Sequence, residues 1–261
     1  MNKVTHLSLF TGIGGLDLAA EWAGFETVGQ CEWADYPTKV LEKHWPDVPR
    51  WRDIRSMTKE SFYERTGLRT VDVISGGFPC QPFSVAGKRR GSEDDRYLWP
   101  EMLRVIEELR PAWVVGENVA GIVNMALDTV LSDLEAKGYT AGAFIIPACA
   151  VDAPHRRDRC VIVANTGGIG YKGAKRLSEN IEKIGTGTTR AFGTIAQFPN
   201  GIDWMQRARE SGFLRRNNGI PHRLDRIRSL GKAVVPPQFY PIFQAIAEVE
   251  RNDQPRPTTS R

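Results

Sequence analysis

The sequence predicts an α/β protein: a mostly parallel sheet with helices on both faces, carrying a smaller, basic attachment. Three observations predict it. Short β-leaning apolar runs alternate with helical patterns from the N-terminus to about residue 165. Glycine-rich turns sit where strands pass into helices. Charge divides the chain: residues 1–150 hold 16 Lys and Arg against 21 Asp and Glu, whereas 151–261 hold 19 against 10. A basic segment joined to an acidic domain suits a polyanion surface, and equally suits a solvated basic face.

The elements follow in order. Residues 4–10 read as a strand closed by Thr11-Gly12-Ile13-Gly14-Gly15, and Leu16, Leu18, Ala19, Ala20 and Trp22 continue as a helix. Residues 27–31 read as a second strand ending at Glu32, and 36–44 as a helix; a weaker unit reaches Asp53. A buried strand over 71–75 runs into Gly76-Gly77-Phe78-Pro79-Cys80. A helix over 98–109 stops at Arg110-Pro111, and a strand over 112–115 delivers Gly116-Glu117-Asn118-Val119. One helix spans 122–137, and strands over 143–146 and 160–164 flank the loop 152–159. Residues 166–228 are rich in Gly, Thr, Asn, Lys and Arg and show no clear elements. A turn-like stretch over 231–237 precedes a helix over 239–249, and the polar tail from residue 252 reads as disordered. The expected division is therefore 1–165 for cofactor and chemistry, 166–228 for recognition, 229–251 returning to the first domain, and 252–261 as tail.

Composition excludes several classes. With 41% hydrophobic and 25% charged residues the chain is neither disordered nor fibrous. No apolar run approaches a membrane span and no signal-peptide layout opens the chain, so a cytoplasmic protein with no membrane partner is expected. Four cysteines, Cys31, Cys80, Cys149 and Cys160, show no metal-binding spacing, and no metal is expected.

The first glycine turn places backbone N–H groups near a ligand. It lacks a dinucleotide signature because Asp17 stands where a third glycine belongs, and Glu32 is suited to ribose hydroxyls, which favours a nucleoside-bearing cofactor. A plain tight turn fits the same residues. Cys80, between prolines at the carboxyl end of a strand, occupies a nucleophile's position, with Lys88, Arg89 and Arg90 near enough in sequence to favour a thiolate. The other three cysteines read as small buried residues. Glu117 stands in the same layer as Cys80, where a carboxyl group can hold or protonate a ring nitrogen. The loop His155-Arg156-Arg157-Asp158-Arg159 offers guanidinium forks for a base carbonyl or phosphate, or is a solvated charge run.

Taken together, Phe10-Thr-Gly-Ile-Gly-Gly15, Gly77-Phe-Pro-Cys-Gln-Pro-Phe-Ser84, Gly116-Glu-Asn-Val119, the arginines of 155–159 and Gly231-Lys-Ala-Val-Val-Pro236 resemble, in order and spacing, the DNA (cytosine-5) methyltransferase family of phage and bacterial type. The resemblance covers residues 4–165 and 220–247. It implies the Rossmann-like methyltransferase fold, with Cys80 as the nucleophile toward C6 of a flipped-out cytosine. Glu117 then contacts N3 and the exocyclic amine, and Arg159 with Arg157 orients the base. Phe10, Gly12, Ile13, Gly14, Gly15, Glu32, Trp33, Asp53, Ile54, Pro79 and Lys232 match positions around S-adenosyl-L-methionine.

Ser84, Lys88, Arg89, Arg90, Arg215, Arg216 and Arg223 are the DNA-contact candidates. The implied partner is double-stranded DNA, with the chain a monomer of either the restriction-modification type, beside a cognate restriction endonuclease, or the solitary type. Three departures stand out: Lys232 where the family usually has Asn, His155 where it usually has Gln, and a variable region of about 60 residues, short for the family. Lys232 is expected near the cofactor's sulfonium, where its charge weakens binding. An RNA cytosine-5 methyltransferase and a weakened, DNA-binding relative share most of these features. A thiol hydrolase would need His6, His44, His155 or His222 as a base beside Cys80, and none has a hydrolase context.

Overall fold

The computed structural model describes residues 3–79, 97–167 and 223–253. The first predicted strand forms β1 (Thr5–Leu9), and α1 (Gly15–Trp22) follows the glycine turn. Then come β2 (Glu26–Cys31), α2 (Asp35–His44), the short β3 (Arg50–Trp51), a 3₁₀ turn (Ile54–Ser56), α3 (Lys59–Thr66) and β4 (Val73–Gly76). Further along, α4 (Trp99–Leu109) leads to β5 (Trp113–Val119), a 3₁₀ turn (Ala120–Asn124), α5 (Leu127–Ala136) and β6 (Thr140–Ile146). A third 3₁₀ turn (Ala148–Val151) precedes β7 (Arg159–Asn165), and the chain closes with α6 (Arg223–Lys232) and α7 (Pro236–Asp253).

The sheet order among the described residues is β3-β2-β1-β4-β5-β7-β6. Neighbours from β3 to β5 are parallel, while β7 runs antiparallel to both β5 and β6. The order turns back between β1 and β4, and such a switch opens a crevice beyond the carboxyl ends of the strands.

Alternation along the strands builds two cores. On one face Val73, Trp113, Val115, Val161 and Val163 pack with Leu16, Ala19 and Ala20 of α1 and with Phe239, Ile242, Phe243 and Ile246 of α7. On the other, Ile74, Val114, Cys160 and Ile162 pack with Phe62 of α3, Met102 and Ile106 of α4, and Val130 and Leu134 of α5. The final helix thus covers the face that also carries α1, and Trp113 Nε1 pins it by donating to Glu250 Oε1 at 2.7 Å.

Several boundaries differ from the sequence reading for identifiable reasons. The strand expected over 112–115 extends to Val119, because antiparallel β7 pairs with it from Trp113↔Asn165 to Val119↔Arg159. The helix expected over 122–137 is broken at Ala126, whose φ of −150° lies outside the helical region. The turn expected over 231–237 is divided between the end of α6 and the start of α7; Pro236 and Pro237 fit a first turn, where no N–H bond is needed. Helix α7 continues to Asp253, past the start expected for the tail. Helix α3 was not anticipated, although Thr58 and Ser61 form a reciprocal capping box and Gly67 closes it at φ +73°. Cys31 and Cys160 are buried as expected, but Cys149 is exposed, because it lies in the 3₁₀ turn after β6.

A polar layer lies under α1. Asp17 is fully buried and accepts from Ser8 Oγ at 2.9 Å and Gln30 Nε2 at 2.8 Å, while Arg50 Nε donates to Gln30 Oε1 at 2.9 Å. These bonds tie α1, β1, β2 and β3 together. His6, also buried, lies 2.7 Å from Ser75 Oγ and 3.2 Å from Thr27 Oγ1, and burial pushes its pKa down to about 3.

Burial raises the Asp17 carboxyl to about 6 against an ordinary 3.8, with the Gln30 and Ser8 hydrogen bonds opposing the rise. The folded state therefore favours the protonated acid. The stability this contributes is present below 3.8 and is lost as pH rises through about 6. Asp17→Asn can keep both bonds without the charge. Its stability relative to wild type is expected to grow by about 2 kcal/mol from about pH 4.5 to about pH 7.5. Urea denaturation of both proteins across that range checks it; His6 titrates in both, and a flat difference would contradict the assignment.

Candidate active site

At the carboxyl end of β1 the chain reverses through a turn with three unusual backbone conformations: Phe10 at φ +52°, Gly12 at +59° and Gly14 at +86°. Two glycines there are demanded by close approach. A methyl group on Gly14 would lie 2.4 Å from the Trp45 ring, and one on Gly15 would lie 2.5 Å from Val234 Cγ2. At Gly12 the same position meets nothing within 4 Å, so the turn is walled by Trp45 and Val234 yet open above Gly12.

The neighbouring strand ends continue this open row. Glu32, just past β2, accepts from Gly12 N at 2.7 Å through one carboxylate oxygen and from Ala34 N at 2.8 Å through the other. Trp33 exposes 70% of its surface, and its carbonyl is held by Arg52 Nη2 at 2.7 Å. Past β3, Asp53 accepts from Arg55 N at 3.0 Å, and Ile54 is buried beside it. Ile13 completes the turn and is half-buried.

The second group lies at the ends of β4 and β5. Their register places Gly76 opposite Gly116, so Gly77 stands level with Glu117. A methyl group on Gly77 would lie 2.7 Å from Glu117 Oε2, so the carboxylate occupies the space that a side chain there would need. Arg159 Nε lies 2.7 Å from Glu117 Oε1, both side chains being nearly buried at 13% and 12% exposure. The Nε–H is not aligned with that oxygen, so the contact is an ion pair rather than a directed hydrogen bond. Burial pushes the Glu117 pKa up, against the opposing charges of Arg159 and Arg157. Arg159 reaches this edge because β7 is antiparallel and begins where its parallel neighbours end.

Two further residues hold this region, and neither had an assigned role. Asn118 is buried and donates from Nδ2 to Phe78 O at 2.9 Å, tying β5 to the loop that carries Pro79 toward Cys80. Gln238 is fully buried and donates to Ile146 O at 2.8 Å and Arg157 O at 3.2 Å. Asn118 belonged to a quoted motif, but only its contact reveals its task. Gln238 shares its apolar helical stretch with Gln244, and nothing in the sequence singles it out.

Arg157 turns away from the ion pair. Its Nη2 donates to Gly231 O at 2.9 Å and to Ala233 O at 2.6 Å. Lys232, between those carbonyls, is exposed at the last turn of α6, where a cation suits a helix C-terminus. Arg223 is the first residue of that helix. Cys80, Ser84, Lys88, Arg89, Arg90, Arg215 and Arg216 lie outside the described residues. Burial raises the Cys31 thiol to about 12 and the Cys160 thiol to about 11, so both stay protonated and unreactive at neutral pH. Among the described residues no three acidic, His or Cys side chains gather as a metal site, and no helix is long and apolar enough to cross a membrane.

The family model of C-5 cytosine-specific DNA methylases matches residues 4–218, which takes in the glycine turn, the loop of Cys80, Glu117 and Arg159. The chain belongs to this family. Among curated relatives, the Type II methyltransferase M.Eco47II of Escherichia coli is 36% identical over 170 residues, covering 62% of this chain and 40% of that protein. M.AquIA of Picosynechococcus is 34% identical over 175 residues, covering 61% of this chain and 71% of that one. The chain thus spans well under half the length of the first relative. In fold, the solved S. pombe Dnmt2 methyltransferase superposes with a TM-score of 0.56 at 20% identity, over 69% of this chain and 56% of that one.

The contact at Gly77 gives a direct test of the packing at this edge. Gly77→Ala must displace the Glu117 carboxylate and is expected to cost about 1–3 kcal/mol of stability. Gly142→Ala on β6, where an added methyl meets nothing within 4 Å, is the matched control and should stay within about 0.5 kcal/mol of wild type. Denaturant unfolding of the two variants measures both, and equal losses would remove the packing argument.

Proposed function

We propose that the chain is a DNA (cytosine-5)-methyltransferase that transfers a methyl group from S-adenosyl-L-methionine to C5 of a flipped-out cytosine in duplex DNA. The observation that carries this reading is Glu117, a carboxyl group buried beside Arg159 and level with Gly77, three residues before the Cys80 thiol. Raised by burial, Glu117 holds a proton more readily than an exposed carboxyl and can donate it to cytosine N3, an acceptor. Protonation there makes C6 electrophilic.

Cys80 then adds as a thiolate: its sulfur forms a bond to C6, and the C5–C6 electron pair becomes localised on C5. The C5 pair would form the new bond to the methyl group supplied by S-adenosyl-L-methionine, whose methyl–sulfur bond would break to leave a neutral thioether. Loss of the C5 proton to solvent, cleavage of the sulfur–C6 bond and return of the N3 proton to Glu117 restore the aromatic ring and free the enzyme. Attack on C6 comes perpendicular to the ring, a face that stacking covers in a duplex, which is why the base must leave the stack. Arg159 counters the charge on Glu117 and orients the base.

The cofactor's chemical demands fit the open row beyond β1, β2 and β3. The space above Gly12 admits an amino-acid backbone, Glu32 keeps lone pairs for ribose hydroxyls, and the Trp33 face with Ile54 and Asp53 offers stacking and an acceptor to an adenine. Phe10, Gly14, Gly15 and Pro79 shape its walls. When bound, S-adenosyl-L-methionine supplies an electrophilic methyl group on a positively charged sulfur. Lys232 is kept near the cofactor's sulfonium, where its charge weakens binding, and Ser84, Lys88, Arg89, Arg90, Arg215, Arg216 and Arg223 are kept as DNA contacts. A cytoplasmic monomer, either paired with a restriction endonuclease or solitary, completes the reading.

Bisulfite sequencing of DNA from a host expressing the protein is expected to show one methylated cytosine context, absent with Cys80→Ser. Glu117→Gln should lower methyl transfer to duplex DNA by about 10²–10⁴-fold. Parallel assays on duplex DNA and on tRNA, with labelled cofactor, separate the DNA reading from an RNA one. Methyl transfer to tRNA alone, or none to either, would overturn the proposal.

A further inference from the structure

Arg157, in the loop before β7, and Arg159, the first residue of β7, hold different partners. Arg159 is paired with Glu117, whereas Arg157 spans 74 and 76 residues of sequence to bind the carbonyls of Gly231 and Ala233. The next residue, Val234, presses on Gly15 so closely that a methyl group there would meet its Cγ2 at 2.5 Å and its carbonyl oxygen at 3.1 Å. Arg157 is itself held at φ +37°, a conformation uncommon for a bulky side chain. It is kept there by Gln238 Nε2 bonding to its carbonyl at 3.2 Å and by Ala148 N bonding to the carbonyl of Arg156 at 2.6 Å. A chain of contacts therefore runs from the base-side loop through Arg157 and Val234 to the glycine turn.

We propose that Arg157 is a positioning residue for the cofactor turn rather than a contact to the base: it clamps residues 231–233 so that Val234 braces Gly15. This rests on the assignment of that turn to S-adenosyl-L-methionine, but the mechanical claim can be read without any ligand. A residue at φ +37° is held by contacts that over-determine it, as strained positions beside working sites are. Both bonds come from one terminal nitrogen, Nη2, whose two N–H groups reach two carbonyls at once.

Hydrogen–deuterium exchange of the ligand-free protein tests the clamp. Arg157→Gln is expected to raise exchange in residues 229–234 and also in residues 12–18, while residues 71–76 remain protected. A rise confined to 229–234, with 12–18 unchanged, would overturn the proposal. Titration with S-adenosyl-L-homocysteine, without DNA, is then expected to show about tenfold weaker binding for Arg157→Gln, with partial recovery in Arg157→Lys and a change within about twofold for Arg159→Gln. Wild-type affinity in Arg157→Gln combined with lost turnover would place the residue on the base side instead. If the wild-type chain binds no S-adenosyl-L-homocysteine, the cofactor assignment fails while the exchange result still decides the clamp. Should Arg157→Gln not fold, Val234→Ala probes the other end of the same relay, and its failure to raise exchange in 12–18 is equally decisive.

Discussion

A carboxylate withdrawn from water must find compensation, and around Glu117 that requirement organises the site. Taking an ionised carboxyl into a protein interior costs several kcal/mol unless an opposite charge meets it. Here the charge is Arg159, and it arrives because β7 runs opposite to the other described strands of the sheet. A parallel β7 would carry its first residue to the opposite edge. The antiparallel strand also lengthens β5, which brings Glu117 and Asn118 to the rim. Gly77 makes the room, and Asn118 holds the Phe78 carbonyl, so the loop toward Cys80 leaves the sheet beside the buried acid.

The cofactor side is built on the same economy of space. Gly14 and Gly15 exist as glycines because Trp45 from one side and Val234 from the other occupy the positions of their absent side chains. Under the turn, Asp17 joins α1 to β1 and β2, and Arg50 extends that network to β3. The strand ends that present Glu32 and Asp53 are therefore rigidly related. Pro79 at the exit of β4, the buried acid Glu117 and the open row beyond β1, β2 and β3 are three parts of one edge, and α7 ties the far end of the chain back to it.

Most of this edge was legible in the sequence. The β1 turn, Glu32, the strand before Cys80 and the strand delivering Glu117 all announce themselves through short-range patterns: apolar runs, glycines and the residues that follow them. What escaped depends on contacts distant in sequence. Nothing local says that Arg157 bonds to Gly231 and Ala233, and its neighbourhood with Arg159 invites one shared role. Strand lengths escaped because β7 supplies the pairing that extends β5. Helix α3 escaped because its cap is polar and its buried face rests mainly on Phe62. The exposure of Cys149 follows from a 3₁₀ turn that composition does not mark. Residues 168–222 lie outside the described structure, and the basic charge there is the whole of the argument for recognition.

The central claim is that the acid at Glu117 serves a covalent reaction at Cys80, and the most direct measurement traps that bond. Duplex DNA made with 5-fluorocytosine at every cytosine replaces the departing C5 proton with fluorine, which cannot leave as a cation, so the sulfur–C6 bond persists. Incubation with protein and S-adenosyl-L-methionine, followed by denaturing electrophoresis and peptide mass spectrometry, should yield a denaturant-resistant complex with the modified, methylated base on Cys80. No complex, or an adduct on the exposed Cys149, would contradict the account.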